Sequence, residues 1–123
     1  MKKILIIEDD VNIRDTIDSI LTLSSFDVYT ASDGKSGVEM VMSKKPNLII
    51  CDVNMPIMSG FGVLSKLKKE LSENDMPIFL FLTASNNQES IDKGMSLGAD
   101  DYISKPFKVS ELLKSINKNF EKI

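Results

Sequence analysis

LIICDVNMPIMSG, residues 48–60, is the stretch from which the fold can be predicted. Its first four residues are all apolar, without the alternation of a half-exposed strand, which indicates a strand buried on both faces of a sheet. Asp52 follows this run, and Pro56 then turns the chain because proline has no amide hydrogen. A carboxylate between a buried strand and a turn is typical of a functional site, although Asp52 could equally do no more than cap the loop.

The composition is that of one globular domain. Of the 123 residues, 42% are hydrophobic and 27% are charged, which argues against both a disordered chain and a membrane span. A chain of this length can bury a substantial core, so we expect a single domain over residues 1–123. The net charge of -3 argues against a surface that binds nucleic acid without regard to sequence.

The cysteine and histidine counts restrict the chemistry and the compartment. The single cysteine, Cys51, cannot form an internal disulfide, and the short apolar run near the N-terminus ends in acids, unlike a signal peptide. We therefore predict a cytoplasmic protein. Because the chain has no histidine, it lacks the Ser-His-Asp and Cys-His systems and most zinc sites. Its chemistry must use carboxylates, hydroxyls and lysine.

Apolar runs alternate along the chain with segments of helical spacing. Strands are predicted at residues 3–7, 27–30, 48–51, 78–82 and 102–104, and a helical segment follows each of them. The helix predicted over residues 86–97 is the weakest, because Gly94 lies inside it. Connections too long for hairpins imply parallel pairing through right-handed crossovers, and hence an α/β fold with a doubly wound, five-stranded parallel sheet.

Polar side chains follow four of these strands at the points where the strands end. The carboxyl ends of parallel strands lie along one edge of an open sheet, where ligands bind, so these side chains should share a cleft. They are Glu8, Asp9, Asp52, Thr83 and Lys105. Crowded carboxylates suit a hard ion such as Mg²⁺, while a hydroxyl and an ammonium group suit a phosphoryl group. The set predicts phosphoryl transfer to Asp52. Taken singly, Glu8, Asp9 and the adjacent Asp10 could instead cap the helix that follows them. Thr83 could likewise be only a strand-end hydroxyl, and Lys105 a solvated turn residue.

Four segments together resemble a known family. They are ILIIEDD, LIICDVNMPIMSG, FLTAS and GADDYISKPF, and they extend over nearly the whole chain. The chain resembles the CheY-like receiver domain of response regulators, the phosphoacceptor half of bacterial two-component systems. The resemblance implies a sheet with strand order 2-1-3-4-5. It also implies a signalling domain that catalyses only its own phosphorylation and dephosphorylation.

The resemblance assigns roles to the acidic residues. It implies that Asp52 accepts a phosphoryl group from a sensor histidine kinase or a histidine phosphotransfer protein. It further implies that Mg²⁺ binds to Asp9, Asp52 and the carbonyl group of Asn54, with Glu8 contributing through water. The donor must lie outside this chain, which has no histidine.

The resemblance also implies how the signal leaves the site. Thr83 and Lys105 would contact the phosphoryl oxygens, and Tyr102 would be the aromatic residue that switches with Thr83. The surface of the fourth helix, fifth strand and fifth helix would then present a site to an effector protein or an attached output domain. It could also support a phosphorylation-dependent homodimer, but Ser115 stands where such receivers often have arginine. Neither direct binding of nucleic acid nor membrane attachment is implied.

Two other functions remain compatible with parts of the pattern. A haloacid-dehalogenase-like phosphatase also uses an aspartate after an apolar strand with Mg²⁺, but it requires a second aspartate where this chain has Asn54. A flavodoxin-like cofactor binder would require a loop after the first strand that cradles phosphate. Here that position holds acids, which would repel a phosphate group.

Overall fold

The computed structural model describes residues 1–84 and 87–121. Its strands are β1 Lys3–Ile7, β2 Asp27–Ala31, β3 Leu48–Asp52, β4 Ile78–Ala84 and β5 Asp101–Lys105. Its helices are α1 Val11–Leu23, α2 Gly34–Lys44, α3 Gly60–Glu70, α4 Gln88–Ser96 and α5 Val109–Phe120. A 3₁₀ helix at Glu73–Asp75, for which the apolar pattern gives no signal, precedes β4.

The five strands form one parallel sheet in the order β2-β1-β3-β4-β5, which confirms the predicted fold and strand order. β3 lies between β1 and β4, with Ile50 opposite Ile6 on one side and Leu80 on the other. All five residues of β3 are buried, as expected for a central strand without alternation. The end of β3 therefore lies near the middle of the sheet edge.

Helices cover both faces of the sheet and give the domain two hydrophobic cores. On one face, α1 and α5 pack on the sheet through residues such as Ile17, Leu21, Leu112 and Ile116. On the other face, α2 and α3 pack on it through residues such as Val38, Val63 and Leu67. Burial on both faces explains why the central strands contain almost no polar residues before their ends.

Polar side chains fix where the helices begin. The Asp10 carboxylate accepts hydrogen bonds from the amides of Asn12 and Ile13, so the capping role considered for the acids is correct for this one. The Asn87 side chain likewise accepts from the Ser90 amide, and α4 begins at the next residue. The predicted fourth helix therefore began too early, and its first residue, Asn86, lies outside the described residues.

Four strands, all but β1, extend further than the apolar pattern indicates, and three of them, β3, β4 and β5, include polar residues in the added part. Asp52 and Lys105 are the last residues of β3 and β5, and Thr83 lies within β4, whereas we expected the polar residues just beyond the strands. Strand pairing explains the difference, because a polar residue can continue a backbone ladder whose neighbours are apolar. In the described part of the chain, none of the helices has the length and apolar character needed to span a bilayer.

Candidate functional site

Asp52 occupies the centre of the candidate site, at the end of β3. Its carboxylate is buried, with only 3% of the residue exposed. One oxygen, Oδ1, accepts a hydrogen bond from the Asn54 amide at 3.2 Å. The other, Oδ2, lies 3.3 Å from the Lys105 ammonium group, which reaches across from the end of β5. Asp52 therefore does cap the loop that follows it, through Oδ1. Its Oδ2 does not take part in the cap and lies beside the ammonium group of Lys105.

Glu8, directly after β1, is fully buried beside Asp52. Its Oε2 accepts a hydrogen bond from the Asp10 amide at 3.1 Å, and its Oε1 lies 3.8 Å from the Lys105 ammonium group. Burial raises the pKa of Glu8 to about 8, against the hydrogen bond from Asp10, and the neighbouring Asp52 and Asp9 raise it further. Burial and the neighbouring carboxylates thus both oppose the charged form of Glu8.

Glu8, Asp9 and Asp52 together provide a set of ligand atoms for a cation. One carboxylate oxygen from each can be chosen so that all lie within 4.8 Å of one another. Oε1 of Glu8 is buried and has no hydrogen-bond partner within the described residues, which is expected if this atom binds a ligand. An all-oxygen set with Asp9 exposed suits Mg²⁺, which keeps several of its waters. Asn54 is exposed in the adjoining turn, where its carbonyl group stays a predicted ligand.

Thr83 and Lys105 lie on the strands beyond Asp52. Thr83 is 1% exposed, and its hydroxyl oxygen has no hydrogen-bond partner among the residues that the structure describes. Lys105 is partly exposed and contacts both Asp52 and Glu8, so it is not simply a solvated turn residue. A buried hydroxyl without a partner is energetically costly, which marks Thr83 as a group that could respond to a ligand.

Tyr102 lies on the edge strand β5, away from the carboxylates. It is opposite Phe81 in the sheet, whereas Thr83 is opposite Ser104. The Tyr102 residue is 37% exposed, on the surface next to α5. The structure thus places Tyr102 near the predicted signalling surface, and its switching role stays a prediction.

Arg14 is a site residue that the sequence analysis missed. Its guanidinium group, the only one in the chain, donates a hydrogen bond of 2.9 Å to the Glu8 carbonyl oxygen. This bond joins α1 to the loop that carries the acidic residues. The position of Arg14 on the first turn of an amphipathic helix gave a hint of its location, but not of its partner.

A second polar cluster ties α5 to the start of β5. The Asp101 carboxylate accepts hydrogen bonds from Asn119 at 3.0 Å and Ser115 at 3.4 Å, and it lies 3.6 Å from the Lys118 ammonium group. Burial acts to raise the pKa of Asp101, but the hydrogen bonds from Asn119 and the Tyr102 amide and the charge of Lys118 outweigh it and leave the pKa below its usual value. The sequence shows these residues only as polar positions, so their contacts could not be predicted.

An apolar groove opens beside the site on the α1 face. It has a volume of about 510 Å³. Its walls are Asn12, Ile13, Thr16, Lys105, Pro106 and Phe107. Because Lys105 belongs both to the groove and to the acidic cluster, a molecule seated in the groove would lie next to the carboxylates.

Comparisons with known proteins show the family of this chain. A family described as the response regulator receiver domain matches residues 4–117. The probable transcriptional regulator ycf27 of Cyanophora paradoxa is 40% identical over 111 residues, which are 90% of this chain and 45% of that protein. The DNA-binding dual master transcriptional regulator RpaA of Synechocystis sp. is 35% identical over 94% of this chain and 48% of its own length. The chain spans about half the length of the curated relatives it matches.

Solved structures show the same fold over nearly the full chain. Vibrio cholerae chemotaxis protein CheY4 aligns with a TM-score of 0.88 and 30% identity, covering 96% of this chain and 98% of that one. The receiver domain of NtrX from Brucella abortus aligns with a TM-score of 0.89 and 27% identity, covering 98% and 99%. None of these matches supports a haloacid-dehalogenase-like phosphatase. With its carboxylates at the centre of the sheet edge, this chain belongs to the response regulator receiver domain family, and it is a signalling domain.

Proposed function

We propose that this chain accepts a phosphoryl group on Asp52 from a phosphohistidine of another protein, with Mg²⁺ as cofactor. The observation that carries the proposal is the buried Asp52 carboxylate, which lies within 4.8 Å of carboxylate oxygens of Glu8 and Asp9 and 3.3 Å from Lys105. In the transfer, an Asp52 oxygen forms a bond to phosphorus while the bond between phosphorus and the donor imidazole breaks. The product is an acyl phosphate on Asp52 and an unphosphorylated histidine on the donor.

The residues of the chain have distinct parts in this reaction. Glu8, Asp9, Asp52 and the Asn54 carbonyl group would hold Mg²⁺, which when bound supplies positive charge for the carboxylates and the phosphoryl oxygens. Lys105 already lies beside the accepting carboxylate, where its ammonium group can pair with a phosphoryl oxygen. The loop amide of Asn54 holds Asp52 in place through its 3.2 Å hydrogen bond.

Phosphorylation would be transmitted through Thr83. A phosphoryl group brings strong acceptor oxygens, and the Thr83 hydroxyl, which is buried without a partner in the described structure, is available to donate to one of them. Movement of Thr83 toward the site would free space next to β5, into which Tyr102 could turn from its partly exposed position. The surface of α4, β5 and α5 would then differ between the two states and be read by an effector.

We further propose that residues 1–123 act as one receiver domain, either alone or within a longer regulator, in the cytoplasm. The free, buried Cys51 is consistent with a reducing compartment. Relatives named as transcriptional regulators support a fused or separate output that acts on transcription. A sensor kinase or a phosphotransfer protein is the proposed donor, and any other catalysis is limited to loss of the phosphoryl group.

Incubation with phosphoramidate and Mg²⁺, followed by intact-mass measurement and peptide mapping, tests the proposal. We expect one phosphoryl group on the wild-type chain, located on Asp52, and none on Asp52→Asn. Asp15→Asn, which changes an exposed carboxylate on α1, is the matched control and should be labelled as the wild type is. Labelling of Asp52→Asn at the wild-type rate, or of another residue in the wild type, would refute the assignment.

A further inference from the structure

Arg14 joins the first turn of α1 to the residue that follows β1. Its guanidinium group donates a hydrogen bond of 2.9 Å to the carbonyl oxygen of Glu8, six residues earlier in the chain. Because Glu8 is fully buried, this bond satisfies an acceptor that would otherwise be costly to bury. The donor is charged, which makes the bond stronger than one between neutral groups. The side chain of Arg14 thus closes the segment that carries the acidic residues.

Hydrogen bonds hold the peptide groups on both sides of Asp9. The carbonyl group before Asp9 accepts the bond from Arg14. The Asp10 amide, which follows Asp9, donates to Oε2 of Glu8 at 3.1 Å. The Glu8 amide in turn donates to the Ala31 carbonyl oxygen at 3.1 Å. Asp9 itself is exposed, so packing does little to fix its side chain. Its position beside the other carboxylates therefore depends on the backbone of this loop.

Repulsion between the carboxylates opposes the position of Asp9. One carboxylate oxygen of Asp9 lies within 4.8 Å of carboxylate oxygens of Glu8 and Asp52, and like charges this close repel one another. Glu8 and Asp52 are buried, whereas Asp9 is exposed, so Asp9 is the member of the set that can move away. The bond from Arg14 resists this movement, because the peptide group before Asp9 cannot rotate without breaking it.

We propose that Arg14 is a positioning residue for the metal site, an inference that rests on the proposed function. By holding the Glu8 carbonyl group, Arg14 keeps Asp9 within reach of an ion that also binds Asp52. The loop is then ordered before Mg²⁺ arrives, and the free energy of binding is not spent on ordering it. Arg14 acts through the backbone of the loop rather than as a ligand of the ion.

The charge of Arg14 alone would have the opposite effect on Mg²⁺ binding. A cation near a metal site repels the ion, so removal of the charge would by itself strengthen the binding of Mg²⁺. Loss of the hydrogen bond would weaken it. A purely structural role would lower the free energy of unfolding and leave the affinity of the folded chain for Mg²⁺ unchanged. The sign of the change in affinity therefore separates positioning from the other two roles.

Mg²⁺ titration followed by amide NMR, with urea unfolding in the absence of Mg²⁺, tests the inference on the wild type, Arg14→Ala and Arg14→Lys. Alanine favours a helix at least as strongly as arginine does, so α1 is kept, and lysine keeps a charged donor. The titration follows the amides of the folded chain, so a destabilised variant still reports its affinity. Lys3→Ala is the matched control, because Lys3, at the opposite end of β1, also donates to a backbone carbonyl oxygen, that of Lys44 at 3.2 Å.

We expect the Kd for Mg²⁺ to rise about tenfold in Arg14→Ala, as is usual when a group that orients a metal ligand is lost. The rise should be smaller in Arg14→Lys, and Lys3→Ala should bind Mg²⁺ as the wild type does. Binding by Arg14→Ala as tight as that of the wild type, or tighter, would overturn the inference, and so would an equal loss of affinity in Lys3→Ala. A wild-type chain that binds no Mg²⁺ would instead refute the metal site of the proposed function, and the role of Arg14 with it.

Discussion

Replacement of Glu8 by glutamine should stabilise the fold at alkaline pH and should do so progressively less as the pH falls. The carboxyl group of Glu8 is fully buried beside Asp52, and its pKa is about 8 rather than 4.5. A carboxyl group whose pKa is raised on folding binds more protons in the native state than in the unfolded state. Its contribution to stability is complete below pH 4.5 and is lost as the pH rises through about 8.

The size of the effect follows from the same values. At about 1.4 kcal/mol per pH unit, a pKa raised from 4.5 to about 8 corresponds to at most about 5 kcal/mol of stability lost at pH 9. Lys105, 3.8 Å from Oε1, offsets part of the cost of the charge, so we expect about 2 to 4 kcal/mol. Glutamine keeps the shape of the side chain but never ionises, so the Glu8→Gln variant avoids this loss.

Urea unfolding of wild type and Glu8→Gln between pH 5 and pH 9, without Mg²⁺, measures the difference. The free energy of unfolding of the variant should increasingly exceed that of the wild type as the pH rises. This difference should become smaller when Mg²⁺ is added, because the ion stabilises the ionised site of the wild type. Glu39→Gln, at an exposed position on α2, serves as the control and should follow the wild type at every pH. A constant difference between wild type and Glu8→Gln across this range would refute the reasoning.

Three further predictions concern single residues. Asp9→Ala should weaken Mg²⁺ binding at least tenfold and leave the stability of the fold unchanged or raised, because it removes one of three crowded carboxylates. Mg²⁺ titration by NMR measures the binding, and urea unfolding measures the stability. Undiminished Mg²⁺ binding would contradict this prediction. Gly60→Ala should lower the free energy of unfolding by about 2 kcal/mol or more, because a Cβ at this position would collide with the Asp52 carbonyl oxygen. Urea unfolding equal to that of the wild type would show that the loop after β3 can move to make room for the Cβ. Thr83→Ala should be phosphorylated yet transmit little change, so equal amide shifts in residues 91–107 of variant and wild type with beryllofluoride would exclude Thr83 as the coupling residue.

Local patterns predicted the strands, and the parallel topology that follows from them predicted which residues of the candidate site lie together. The unbroken apolar run before Asp52 indicates a strand covered on both faces, and parallel topology then brings distant strand ends to one edge. That Glu8, Asp52 and Lys105 contact one another follows from this topology and from no short-range signal. Strand ends were less predictable, since Asp52 and Thr83 continue the backbone ladder although their side chains are polar.

What the sequence could not show depends on side-chain contacts between separate elements. The bond from Arg14 to the Glu8 carbonyl oxygen and the cluster around Asp101 join polar residues that, in sequence, resemble any solvated helix face. The positive φ of 71° at Ile57, in the loop after β3, was equally hidden, because such a conformation is expected at glycine or asparagine rather than at isoleucine. Each of these features depends on tertiary geometry rather than on local propensity.

The attachment of α5 to β5 through Asp101 limits which partners could sense the state of this domain. α5 is held by Asn119, Ser115 and Lys118, whereas α4 rests on β4 through a glycine, Gly94, close to the ring of Phe81. If these contacts keep α5 in place in both states of the proposed switch, an effector that touched α5 alone would bind both states with equal affinity and could not distinguish them. To distinguish the two states, an effector would have to contact both α5 and α4. Its contacts with α5 would stay the same, and its contacts with α4 would change when α4 moves.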